Sequence, residues 1–227
     1  MHFDGLAGKR VLITQADDFM GPMLCEVFAE LGAHVIANTT TLIDNQASSK
    51  VISDAGEVDI LIVNLAIKAP NTLAQNVTEL EWGEVFSALV HPLPQLVGAV
   101  LPQMMKRQAG KILLMGSASA LRGMKQRSTY SAARGAQLAY VQAVGVEVAP
   151  YNIQVNAVAQ NFVENPTYFP PQLQSDPVFQ ERLTREVPLG RLVTSREDAA
   201  FVAYLCSDSA ACFVGQVFPV CGGWVTR

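Results

Sequence analysis

Three side chains in the stretch GSASALRGMKQRSTYSAAR have the types and spacing for proton chemistry. Ser117 leaves an apolar run, Tyr130 follows thirteen residues later, and Arg134 comes four after that. Residues four apart on a helix share a face, so Tyr130 and Arg134 meet there. A phenol has a pKa of ~10 and is a poor base at neutral pH. A guanidinium keeps its charge and favours the phenolate, which makes the same phenol a general base. Ser117 could then hold the oxygen that loses its proton. Taken alone, such a helical pair is usually a solvated surface pair, and a serine at a strand end is usually a cap or loop residue. Convergence on one crevice separates the two readings, and it depends on the elements that carry the three residues.

Short apolar runs at 10–14, 34–38, 58–64, 111–116, 153–159 and 216–220 read as strands. Helices are expected over 21–31, 44–55, 78–90, 93–107, 128–148 and 179–185, and from Ser195 to about Ser207. Thr78 and Ser195 stand as caps, with Glu81 completing a capping box. The alternation predicts an α/β fold, a Rossmann-like doubly wound parallel sheet of three layers, in a single domain over 1–227. Ligands in such sheets sit beyond the carboxyl ends of the strands. The segments after Thr14, Asn64, Ser117 and Ala159 therefore meet around one pocket.

Composition removes other classes. Sixteen Lys and Arg against 20 Asp and Glu, with no basic run, make a poor nucleic-acid binder and a poor ligand for anionic membranes. No stretch approaches ~18 continuous apolar residues, and 1–10 has no signal-peptide apolar region. A cytoplasmic protein is expected, with Cys25, Cys206, Cys212 and Cys221 reduced. Neither the cysteine spacings nor the scattered His2, His34 and His91 fit a metal site.

Ser, twelve residues, Tyr, three residues and a basic residue resemble the catalytic signature of the short-chain dehydrogenase/reductase superfamily. VDILIVNLA resembles its V-D-x-L-V-N-N-A segment, and PLGRLVTSREDAAFVAYLCSDSAACFVGQVFPVCGG resembles its C-terminal stretch. The resemblance spans nearly the whole chain. It departs at three cofactor contacts. The T-G-x-x-x-G-x-G turn is Thr14, Gln15, Ala16, Asp17, Asp18, Phe19, Met20, Gly21, so two glycines are gone and two acids stand where phosphate would lie. The usual lysine is Arg134, and the usual Pro-Gly after the fifth strand is Gln160 and Asn161. Only about twenty residues separate the second strand from Val58. The superfamily fits a further helix and strand there, so that strand is expected to be short or missing, and the adenine site with it.

This combination resembles the halohydrin dehalogenases, a branch of the superfamily that needs no cofactor. The resemblance implies a lyase that converts vicinal halohydrins to epoxides, releasing halide and a proton. It also implies the reverse ring opening by small anions such as azide, cyanide or nitrite. It assigns catalysis to Ser117, Tyr130 and Arg134. The halide falls to Phe19, Gln160, Asn161, Phe162 and Val163, in the vacated nicotinamide site. Leu65, Ser119, Leu121, Met124, Arg127 and Phe169 fall near the substrate by the same alignment, and the segment Asn165 to Phe169 resembles the loop beside the halide. Phe19 and Phe162 also fit ordinary core packing. A homotetramer is implied, with Trp224 either reaching a neighbouring subunit or simply packed.

Overall fold

The computed structural model describes residues 3–44 and 46–226; His2 and Asn45 lie outside the described residues. Six strands, β1 (Arg10–Ile13), β2 (His34–Ala37), β3 (Ile60–Asn64), β4 (Gly110–Ser117), β5 (Ile153–Gln160) and β6 (Val217–Val220), form one sheet in the order β2-β1-β3-β4-β5-β6. Every pairing is parallel. The helices are α1 (Gly21–Glu30), α2 (Ala47–Ala55), α3 (Glu79–Leu89), α4 (Pro92–Arg107), α5 (Ser128–Val148), α6 (Pro171–Gln174), α7 (Pro177–Glu186) and α8 (Ser195–Cys206).

Strand side chains alternate between faces, so each strand feeds two cores. Leu12, Leu61, Val63, Ile112, Leu114 and Val155 pack with the apolar stripes of α2, α3, α4 and α5. Val11, Ile13, Ile60, Ile62, Leu113 and Val158 pack with α1 and α8. Coverage on both faces explains why β3 is apolar at every position. The chain winds outward from β1 to β2, then crosses back to β3. The resulting switch point opens a crevice at the carboxyl ends of β1 and β3.

Several boundaries differ from the sequence expectations. The second helix starts at Ala47. Thr194, not Ser195, caps α8, and Glu197 completes a reciprocal capping box there. Thr78 does cap α3, but no reciprocal box forms. The Glu81 carboxylate instead accepts from Thr72 Oγ1 at 2.5 Å and Thr129 Oγ1 at 2.7 Å, tying α3 to the start of α5. The four-residue α6 has too few residues to show a period in sequence. Between β2 and β3 only α2 is present among the described residues, so β2 is the sheet edge and the outer strand is missing there. The stretch Glu79–Arg107 has the length and mean hydropathy of a membrane span. It carries Pro92, Pro94 and Pro102, and buries Leu93, Leu96, Val97, Val100 and Met104 in the sheet core.

Candidate active site

Tyr130 lies in the first turn of α5 and Arg134 in the second, and both are buried. Arg134 Nε donates to Tyr130 Oη at 3.0 Å. Its Nη1 donates to Met115 O (3.1 Å) and Gln137 Oε1 (3.0 Å), and its Nη2 to Leu65 O (3.0 Å) and Tyr168 Oη (3.4 Å). These partners are all neutral oxygens, and no carboxylate among the described residues bonds the group. Gln137 is itself anchored to Leu89 O at the end of α3. Burial works against the Arg134 charge, but Tyr130 and then Tyr168 outweigh it and hold the pKa above the usual guanidinium value. A fully buried cation without a carboxylate favours any anion forming beside it, and the nearest group able to become one is the Tyr130 phenol.

Ser117 ends β4. Its Oγ lies 2.9 Å from Ser119 Oγ and accepts from Ser119 N at 3.2 Å, so the strand end and the turn after it share one hydroxyl pair. Ser117, Ser119 and Tyr130 open into a cavity of about 240 Å³, which Phe19, Met124, Gln160, Asn161, Phe162, Val163 and Phe169 also line. Arg127 lines it too and braces its mouth, with Nη1 donating to Ala69 O at 2.5 Å and to Pro70 O. Two expected wall residues do not belong. Leu65 is wholly buried and contributes only its carbonyl, as an acceptor for Arg134. Leu121 packs against the core instead, turned away by the 3-10 turn at Ala118–Ala120. Arg134 does not line the cavity; it backs Tyr130 from behind. Trp224 packs edge-on to Phe162 at 6.0 Å, in this chain's own core.

The segment after β5 shapes the opposite wall. Phe162 takes a left-handed backbone, φ 52°, and its N–H is engaged by Asn161 Oδ1 at 3.0 Å. A bridge between Val163 and Val193 pins the turn. Asn161 Nδ2 is buried without a partner. Asn165 then donates to Val163 O (2.7 Å) and accepts from Tyr168 N (2.8 Å), folding the loop so that Tyr168 points back into the site. Tyr168 Oη lies 3.2 Å from Tyr130 Oη and donates to Ile67 O at 2.9 Å. Burial raises its pKa well above the ordinary phenol value, Tyr130 adds to that, and Arg134 only partly opposes it. The sequence reading passed over Tyr168 as a site residue; the signal was its place in the Asn165 to Phe169 segment.

The β1–α1 turn decides whether a dinucleotide fits. Gln15 and Phe19 hold left-handed backbones, φ 43° and 51°. Ala66 N donates to Gln15 Oε1 at 2.6 Å, and Asn64 Nδ2 donates to Gln15 O and Asp18 O. Phe19 N is shared between Asp18 Oδ1 (2.6 Å) and Thr167 Oγ1 (3.0 Å), so this amide is not free for a phosphate. The Phe19 ring packs edge-on to Tyr168 at 5.3 Å and 90°. Asp18 adds a carboxylate at the helix N-terminus, where a phosphate would need positive potential. The turn does not fit a dinucleotide pyrophosphate. Among the described residues no group of three His, Cys, Asp or Glu side chains could hold a metal.

Comparison with known proteins places this architecture. A family model described as enoyl-(acyl carrier protein) reductase matches residues 6–225. The 3-oxoacyl-(acyl-carrier-protein) reductase of Vibrio cholerae is 33% identical over 244 residues, covering 96% of this chain and 98% of its own. The reductase of the same name from Escherichia coli is 31% identical over 248 residues, covering 98% of each chain. A solved structure described as a dehalogenation enzyme superposes with a TM-score of 0.84 at 28% identity, covering 97% of this chain and 99% of its own. L-sorbose reductase from Gluconobacter frateurii, solved with NADPH and L-sorbose, superposes at 0.89 with 22% identity over 98% of each chain, which bears on the fold alone.

Proposed function

Since the chain belongs to the short-chain dehydrogenase/reductase superfamily, we propose that it uses the Ser-Tyr-Arg set of that fold for halohydrin dehalogenation, without hydride transfer. The observation that carries the reading is the Phe19–Tyr168 pair. Two packed rings and an occupied turn stand after β1, where the superfamily's glycine turn would meet a cofactor, while Ser117, Tyr130 and Arg134 remain assembled. The dehalogenation enzyme at 28% identity supports the same direction.

In the proposed step, Ser117 holds the substrate hydroxyl and Tyr130, as phenolate favoured by Arg134, takes its proton. The oxygen attacks the neighbouring carbon from behind, the carbon–oxygen bond forms, and the carbon–halogen bond breaks with its electron pair leaving as halide. The halide enters the turn at Gln160–Val163, where Asn161 Nδ2 has no other partner and the edges of Phe19 and Phe162 carry positive potential. In reverse, a small anion such as azide opens the epoxide and Tyr130 returns the proton. The acting form would be a homotetramer, in keeping with exposed Leu80 and Trp82 on α3 and Val146 on α5.

A second reading, an NAD(P)-dependent reductase, has the identity to 3-oxoacyl reductases in its favour. One experiment separates the two. Halide release is measured from a panel of bromo- and chloro-alcohols with no cofactor, for wild type and Tyr130→Phe. Wild type should release halide, and the variant should lose at least ~100-fold, the lower range for a general base. Folded wild type that releases none would overturn the proposal, and carbonyl reduction with NADH or NADPH would establish the second reading.

A further inference from the structure

Behind the pocket wall, α8 buries a carboxyl with no charged partner. Asp198 lies in the first turn of α8 and is fully buried. Its Oδ2 accepts from Gln160 Nε2. Its Oδ1 has no partner, and neither does Gln160 Oε1. Two buried acceptors are thus orphaned on the two groups that one hydrogen bond already joins. An unpaired buried acceptor is costly. A single proton on Oδ1 would answer both: its O–H would donate to Gln160 Oε1, and acid and amide would close a ring of two hydrogen bonds.

We propose that Asp198 is held as the neutral acid, and that this acid–amide pair fixes Gln160, the residue that opens the pocket turn, making the turn's support depend on one proton. Asp198 is then a positioning residue that acts through Gln160.

Neighbouring charges do not compete for that proton. Glu197 is taken up by Arg191 and Thr194, and Arg196 pairs with Glu26 and Glu30 of α1. Cys25 on α1 stays a neutral thiol, its pKa raised by burial. On β4, Lys111 bonds Ser207 O beyond the far end of α8, next to Asp208. β5 carries no ionisable side chain. Burial alone therefore lifts Asp198 to about 7, opposed only in part by the Gln160 bond. Its unfolded value is about 4. The raised folded value means stability that is complete below about pH 4 and lost as pH rises through the folded value near 7. Above neutrality a negative charge stands behind the turn, and an anion in the pocket is disfavoured. That last consequence rests on the dehalogenase reading; the proton does not.

Infrared difference spectra of the wild type between about pH 5 and about pH 9 test the proton directly. They should contain a buried carboxylic-acid band that Asp198→Asn erases. Asparagine keeps both hydrogen bonds without titrating, since its Nδ2 donates to Gln160 Oε1. Wild type should lose several degrees of melting temperature as pH rises through neutrality. Asp198→Asn should not show that loss, and Asp198→Leu should melt below the Asn variant throughout. Absence of the band in wild type, or an Asn variant whose melting follows pH as wild type does, overturns the proposal. Bromide binding, read from Trp fluorescence, should weaken several-fold from low to high pH in wild type and stay level in Asp198→Asn. Equal weakening in both variants removes the support role, whereas no bromide binding at any pH strikes the dehalogenase reading.

Discussion

Arg134 reaches only neutral oxygens, so its worth to the site is its charge and its fork together. Arg134→Gln keeps hydrogen bonding and removes the charge. The proton-accepting phenolate of the proposed step then loses its cationic partner. The acid limb of the ring-closure rate profile should move upward, with a loss of at least ~100-fold at neutral pH that more alkaline conditions partly restore. Arg134→Lys should keep the limb nearer its place but lose rate, because an ammonium cannot span acceptors from β4, α5 and the segment after β3. A rate profile unchanged in Arg134→Gln would remove the guanidinium from the mechanism. At this scale, the sequence exposed residues whose spacing is helical, and the pair on α5 was legible for that reason. Tyr168 was not, because a loop has no period and only Asn165 turns it inward. Leu65 and Leu121 failed as pocket walls because alignment places a segment near a crevice without fixing which side chains face it.

The strand–turn–helix unit at β1 and α1 separates two uses of glycine. Gly21 is retained where a Cβ would stand 2.5 Å from Gln15 O and 2.6 Å from Ala16 Cα. Backbone cannot yield there as a flexible side chain would. Gly21→Ala should cost about 1–3 kcal/mol as an overpacked contact, and lower the melting temperature by roughly 2–10 °C. Gly98→Ala in α4 and Gly135→Ala in α5 meet nothing within 4 Å, and should gain up to about 1 kcal/mol from helix propensity. Thermal melts of the three variants check both signs; a neutral Gly21→Ala would show that the turn can relax. The regular elements were legible because strand and helix periods differ. Their ends were less so. Thr194 and Ser195 are both good caps, and only the reciprocal bond from Glu197 chooses between them.

Across the whole molecule, two remote changes act on the same ligand. The turn after β1 is closed to phosphate, and the sheet stops at β2, where the superfamily would place a further strand beside the adenine. Neither NADH nor NADPH should bind at micromolar concentration, and calorimetry showing such affinity would contradict the filled turn. The doubly wound order was legible from the alternation of elements, and the shortened edge from the brief span between the second and third strands. The filling of the turn by the Phe19–Tyr168 contact was not, since it rests on which rings pack together in three dimensions. One detail of that space bears on descent and on engineering. Gln15 and Phe19 occupy the two lost glycine positions, yet both keep the left-handed backbone that glycine adopts freely. On the proposed function the loop geometry has outlived its ligand, and each replacement bears a conformational penalty of about 1–2 kcal/mol. Gln15 offsets its share through the bond from Ala66 N, and Phe19 through its packing on Tyr168. On that reading, the barrier to regaining a nucleotide lies in side chains and a missing strand, not in the path of the main chain through the turn.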